Sequence, residues 1–358
     1  MAIHLLKPHK GRGATLNPDG RFEQLERDSF DDGWGEIEQD PGRVTTVTPE
    51  PARSIIARND SPDVGFSQSI NPYAGCEHGC IYCYARPSHG YRGLSAGLDF
   101  ETKLFAKVNA AELLRRELSA RSYRVDTIVV GANTDPYQPI ERKWKITRGI
   151  LAVLAEFNHP VGIITKSALV ERDIDLLSAM AKKDLARVHV SITTLDHEIA
   201  RYLEPRTSAP ARRVQTIRAL RDAGIPVGVM VAPVIPFLTD SQLEPILEAA
   251  SEAGVDSAGY VLLRLPHEVK DLFKDWLAQH FPLKAEHVMS LVRQMRDGQE
   301  YDSTFGVRQR GTGIYAQLLA QRFKLACERL GLNGKRSDLN VHRFHVPPSD
   351  GQLNLFEP

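Results

Sequence analysis

Between residues 66 and 265, six β-rich runs alternate with amphipathic helical segments, and this alternation restricts the fold more than any other property of the chain. The runs are FSQSINPY (66–73), DTIVVG (126–131), VGIIT (161–165), VHVSIT (188–193), VGVMVA (227–232) and GYVLLRL (259–265). Helical spacing of apolar residues marks 109–119, 146–157, 170–182, 211–223 and 241–253, as in Ile150, Leu151, Val153, Leu154 and Phe157. Parallel strands need a crossover connection, and a helix between each pair supplies it. Six such units predict an α/β protein built as a partial (β/α)6 TIM-like barrel. In such sheets the chemistry sits where strands end, so the residues just after each run are the ones to inspect.

The flanks read differently. Residues 1–64 are rich in Gly, Pro, Asp and Glu and form an irregular, extended N-terminal arm; 65–266 is the core; 267–334 turns helical; 335–358 is a polar tail. Lys plus Arg and Asp plus Glu are 45 each, so no global field draws in nucleic acid or an anionic membrane, and any such binding needs a local patch. VGVMVAPVIPFL is too short to span a bilayer and is interrupted by two prolines, so no membrane association is expected and a cytoplasmic location is.

Three of the four cysteines, Cys76, Cys80 and Cys83, fall within eight positions in AGCEHGCIYCYARP, three residues past the first run. Three thiolates with His78 or His89 would close a tetrahedral zinc site. Alternatively, three thiolates hold an iron–sulfur cluster and leave one iron open to another ligand. Gly75 and Gly79 let the backbone wrap closely around a compact group. The fourth, Cys327, lies in a helical run and reads as a buried, inert thiol.

CEHGCIYCY, with its CxxxCxxC spacing and following aromatic, resembles the signature of radical S-adenosylmethionine (SAM) enzymes. GANTDPYQPIE, ITKSALVERDIDLL, SITTLDHEIARYLEPRTSAPARRV and VGVMVAPVIP resemble successive motifs of the spore photoproduct lyase and DNA repair photolyase-like group. The resemblance implies that Cys76, Cys80 and Cys83 hold a [4Fe–4S] cluster, and that SAM is cleaved to a 5′-deoxyadenosyl radical. It implies an electron donor such as flavodoxin or ferredoxin. It places Tyr84 against the adenine of SAM, Thr134 and Asp135 at its amino end, Lys166 at its carboxylate, and Ser191 and Ala232 among its contacts. Tyr82 and Tyr84 match a pair that can relay a radical.

Two departures bear on the reaction. Ala132 stands where the lyase has a hydrogen-donating cysteine, and Arg206 stands where it has glycine, there to reach an anionic substrate or cap a turn. Repair of the same thymine lesion is therefore not expected. Nucleic acid remains a substrate class, because ERKWKITR (141–148) and PRTSAPARRVQTIRALR (205–221) interleave basic residues in a way that suits a phosphate backbone or a solvated helix face. The alternatives are a radical enzyme acting on another substrate, or a zinc-stabilised scaffold without catalysis. Near the C-terminus, Gln352–Phe356 (QLNLF) resembles the short peptides by which DNA-metabolising proteins bind the replication sliding clamp.

Overall fold

The computed structural model describes residues 11–22, 44–334 and 338–348; Gln352–Phe356 lies outside the described residues. The strands are β1 (Thr46–Pro49), β2 (Ala57–Arg58), β3 (Gln68–Ile70), β4 (Tyr73–Ala74), β5 (Lys103–Ala106), β6 (Ile128–Val130), β7 (Val161–Thr165), β8 (Ala186–Ser191), β9 (Val227–Val234) and β10 (Ser257–Leu262). One seven-stranded sheet runs β10-β9-β8-β7-β6-β3-β2, with β3 and β6 to β10 all parallel and β2 antiparallel at the edge. The six parallel strands stand in chain order and correspond to the six runs. Among the described residues the sheet stays open, an unclosed partial barrel with β10 and β2 at its edges.

Strand residues point alternately to opposite faces, and Val188, Val190, Val227, Val229 and Val231 meet the helices in the main core. There they pack with helical residues such as Ile150, Leu151, Leu154, Ile217 and Ile246. Cys327 is buried in this core on the helix Gly313–Arg329, in keeping with an inert packed thiol.

Three elements differ from the sequence expectation for local reasons. The first run ends at Ile70 because Pro72 has no N–H for a ladder, and Asn71 instead accepts from the N–H of Asn133 at 2.8 Å. The helix expected from 170 begins at Ile174. A 3₁₀ turn over Ala168–Asp173 precedes it, started by Ser167 Oγ accepting from Leu169 N at 3.2 Å. The arm carries β1, which pairs in parallel with β5, and β2, runs too short to show an alternation. No helix among the described residues is long and apolar enough to cross a membrane.

Candidate active site

The cysteine loop follows β4 and lies at the end of the sheet where the parallel strands finish. Gly75 and Gly79 take φ of +76° and +68°, which L side chains rarely adopt, and Cys76 N donates to Phe100 O at 2.9 Å. Arg86 fixes the loop from behind. Its Nε donates to Cys80 O at 2.9 Å, one terminal nitrogen to Gly79 O at 3.1 Å, and the other to Ala96 O and Gly97 O at 3.1 and 3.0 Å. It also pairs with Glu101 at 2.5 Å, both side chains fully buried. Glu101 in turn accepts the N–H groups of Gly13 and Ala14 at 3.0 and 2.8 Å. A Cβ on Gly13 would come within 1.8 Å of Gly79 O, so only glycine permits this approach.

One guanidinium thus binds the carbonyls of both Gly79 and Cys80, and Cys83 N also donates to Cys80 O at 3.2 Å. Burial pushes the Cys76, Cys80 and Cys83 thiols up, with Asp135 and the neighbouring thiols adding to the effect at Cys76 and Glu204 at Cys80. Such thiolates need a cationic group to be stable, and bound iron supplies one. A lone zinc fits less well. His89 Nε2 is engaged with Lys103 O at 2.9 Å while its Nδ1 is buried without a partner, and His78 Nδ1 faces Asp135 at 3.4 Å. That last pair is close enough for charge interaction yet misaligned, leaving Nδ1 without a hydrogen bond. Among the described residues no three His, Cys, Asp or Glu side chains converge as one metal ion demands. A cluster makes no such demand, because each thiolate binds a different iron.

The strand ends bring the other expected residues to the same edge with different degrees of freedom. Thr134 donates its hydroxyl to Tyr73 O at 2.9 Å. Asp135 accepts from Thr165 Oγ1 at 2.8 Å, Tyr137 N at 2.8 Å and Lys166 N at 2.7 Å. Burial pushes its carboxyl up, but His78 and these donors prevail and hold it below the ordinary value. Both side chains therefore brace the turns after β6 and β7. Lys166 Nζ donates to Ala232 O at 3.1 Å, and Ser191 is buried with its carbonyl held by Arg213 at 3.0 Å. The two tyrosines part company. Tyr82 is buried, whereas Tyr84 is 43% exposed and donates its hydroxyl to the carbonyl of Ala132. Arg206 is exposed and pairs at 3.0 Å with Glu77, inside the cysteine loop.

Glu204 is the residue the sequence reading passed over. It is buried, accepts from Thr193 Oγ1 at 2.6 Å and from the Tyr82 hydroxyl, pairs with buried Arg213, and lies 4.0 Å from Lys166 Nζ. Its only local sign was an acidic residue beside Arg206 in LEPRTS. Burial alone would raise its carboxyl, but Arg213, Lys166, Thr193 and Tyr82 bring it from 4.5 to about 2. A depressed carboxyl contributes stability above its unfolded value and loses it as pH falls toward the folded one. Acid unfolding of the wild type should therefore show a loss between about pH 5 and 2 that Glu204→Gln lacks. Parallel acid titrations monitored by circular dichroism check this; equal slopes would contradict it.

Residues 70–250 match the family model described as the radical SAM superfamily. An uncharacterized protein of Mycobacterium tuberculosis is 38% identical over 231 residues, covering 64% of this chain and 68% of that one. An uncharacterized protein of Methanocaldococcus jannaschii is 27% identical over 218 residues, 61% of this chain and 78% of its own length. Among solved structures, spore photoproduct lyase complexed with dinucleoside spore photoproduct superposes with a TM-score of 0.54 at 16% identity, covering 79% of each chain. Another structure of that lyase, with the same statistics, carries bound AdoMet. At this identity the likeness concerns the fold.

Proposed function

The chain belongs to the radical SAM superfamily, a family of enzymes that use radical chemistry, and we propose that it binds a [4Fe–4S] cluster through Cys76, Cys80 and Cys83 and cleaves SAM reductively to act on a nucleic-acid base or lesion. One observation carries the cofactor reading: three free thiols on a single loop, two buried and one half-buried, with Arg86 bound to the loop carbonyls of Gly79 and Cys80. When bound, the cluster supplies the electron that breaks a sulfur–carbon bond of SAM and yields the 5′-deoxyadenosyl radical. The protein's part is to bind, orient and exclude water. Lys166, its amine anchored on Ala232 O, offers a cation to the SAM carboxylate. Asp135 keeps the turn bearing Lys166 in place by accepting its N–H. Tyr82 is fastened to Glu204, leaving Tyr84 as the tyrosine open to substrate. Spore photoproduct lyase, in its solved complex, holds a dinucleoside spore photoproduct, which favours nucleic acid as the substrate class. With Ala132 in place of a thiol donor, the reaction differs from thiol-assisted repair of that lesion.

Anaerobic reconstitution followed by dithionite should give bound iron and sulfide together with 5′-deoxyadenosine released from SAM. Stoichiometric zinc with no iron, and no SAM cleavage, would sink the proposal.

A further inference from the structure

Arg264 interrupts an apolar run, standing between buried Leu263 and Leu265 just past the end of β10. That position is on the same edge of the sheet as Lys166 and Ala232. Its guanidinium carbon lies 4.9 Å from the ring centroid of Tyr84, the tyrosine that reaches Ala132. Its Nε is buried and has no hydrogen-bond partner. Among the described residues no carboxylate lies within ion-pair distance of it. Two further arginines stand beside it. Arg296 donates to the carbonyls of Leu263 and Arg308 at 3.1 and 3.0 Å, and Arg308 pairs with Asp63. Of the nearby acids, Asp63 is already occupied by Arg308 and by Gly306 N at 2.6 Å, and Asp302 acts on Arg296. The edge beside Tyr84 thus carries surplus positive charge and a desolvated N–H lacking an acceptor, an arrangement that costs free energy until an oxyanion arrives.

We propose that Arg264, its guanidinium carbon 4.9 Å from the centroid of the Tyr84 ring, is a binding subsite for a phosphate group of the substrate. The contact with the ring restricts the side chain before binding, so less freedom is lost when an oxyanion docks. A carboxylate on the protein would have closed the site, and Asp63 is turned to Arg308 instead. The inference depends on the preceding reading only in taking this edge as the place where substrate enters.

The test uses the reconstituted full chain with SAM present, a labelled single-stranded DNA oligonucleotide read by fluorescence anisotropy, and a mononucleotide and inorganic phosphate as competitors. Arg264→Gln should weaken oligonucleotide binding roughly tenfold and make the salt dependence shallower by about 0.7 in log–log slope, the loss of one phosphate contact on a single strand. Its affinity for SAM and its thermal midpoint should match the wild type. Effective competition by the mononucleotide or by inorganic phosphate at similar concentration would assign the subsite to a small phosphorylated compound; failure of both to compete assigns it to a strand. Unchanged binding of all three probes in Arg264→Gln, weakened SAM binding in their place, or no binding of any probe by the wild type would overturn the proposal. Iron content and 5′-deoxyadenosine release, measured on the same wild-type sample, report separately on the radical SAM reading.

Discussion

Replacing Cys80 by alanine is expected to abolish 5′-deoxyadenosine formation, with iron content falling to background. A cluster held by three thiolates has no spare protein ligand, and Cys80 is buried, so no external thiol reaches its place. Cys327, packed in the main core on a C-terminal helix, is a control: Cys327→Ala should retain both iron and SAM cleavage. Iron and sulfide assays with product chromatography decide it. Full iron loading in Cys80→Ala would remove the loop from its assigned role.

The second large effect is expected at Arg86, which touches no cofactor atom. Its side chain is fully buried, satisfies four carbonyls and pairs with Glu101. Arg86→Leu removes the cation paired with buried Glu101 and takes one donor from each of the Gly79 and Cys80 carbonyls. Removing one partner of a buried ion pair costs about 3–5 kcal/mol. Against a total of about 5–15 kcal/mol, that is a large share of the folding free energy. Arg86→Lys keeps the charge but not the planar fork, so it should recover only part of the loss. Urea unfolding of the cluster-free chain isolates the structural term, and iron occupancy after reconstitution reports the loop geometry. A midpoint for Arg86→Leu equal to that of the wild type would contradict the argument.

What could be read from the sequence was whatever is written locally. The strand Val161–Thr165 and the helix Ile146–Glu156 follow from apolar spacing within a few residues, and the cysteine triplet from its own spacing. Pairings between distant residues leave no such trace. The bond from Tyr82 to Glu204 spans 122 positions, and Gly13 to Glu101 spans 88. The resemblance assigns Thr134 and Asp135 to SAM, and in the structure their polar atoms also hold the protein's own turns together. The pairing of Arg206 with Glu77 is likewise between distant positions.

The contact of Gly13 and Ala14 with Glu101 also sets where this enzyme can be cut. The span that matches the family begins at residue 70, yet the carboxylate behind the cysteine loop draws two of its donors from residues 13 and 14. A fragment trimmed to the matched span would keep every cysteine and lose part of the brace that shapes their loop, so the smallest working unit reaches back to the N-terminal segment.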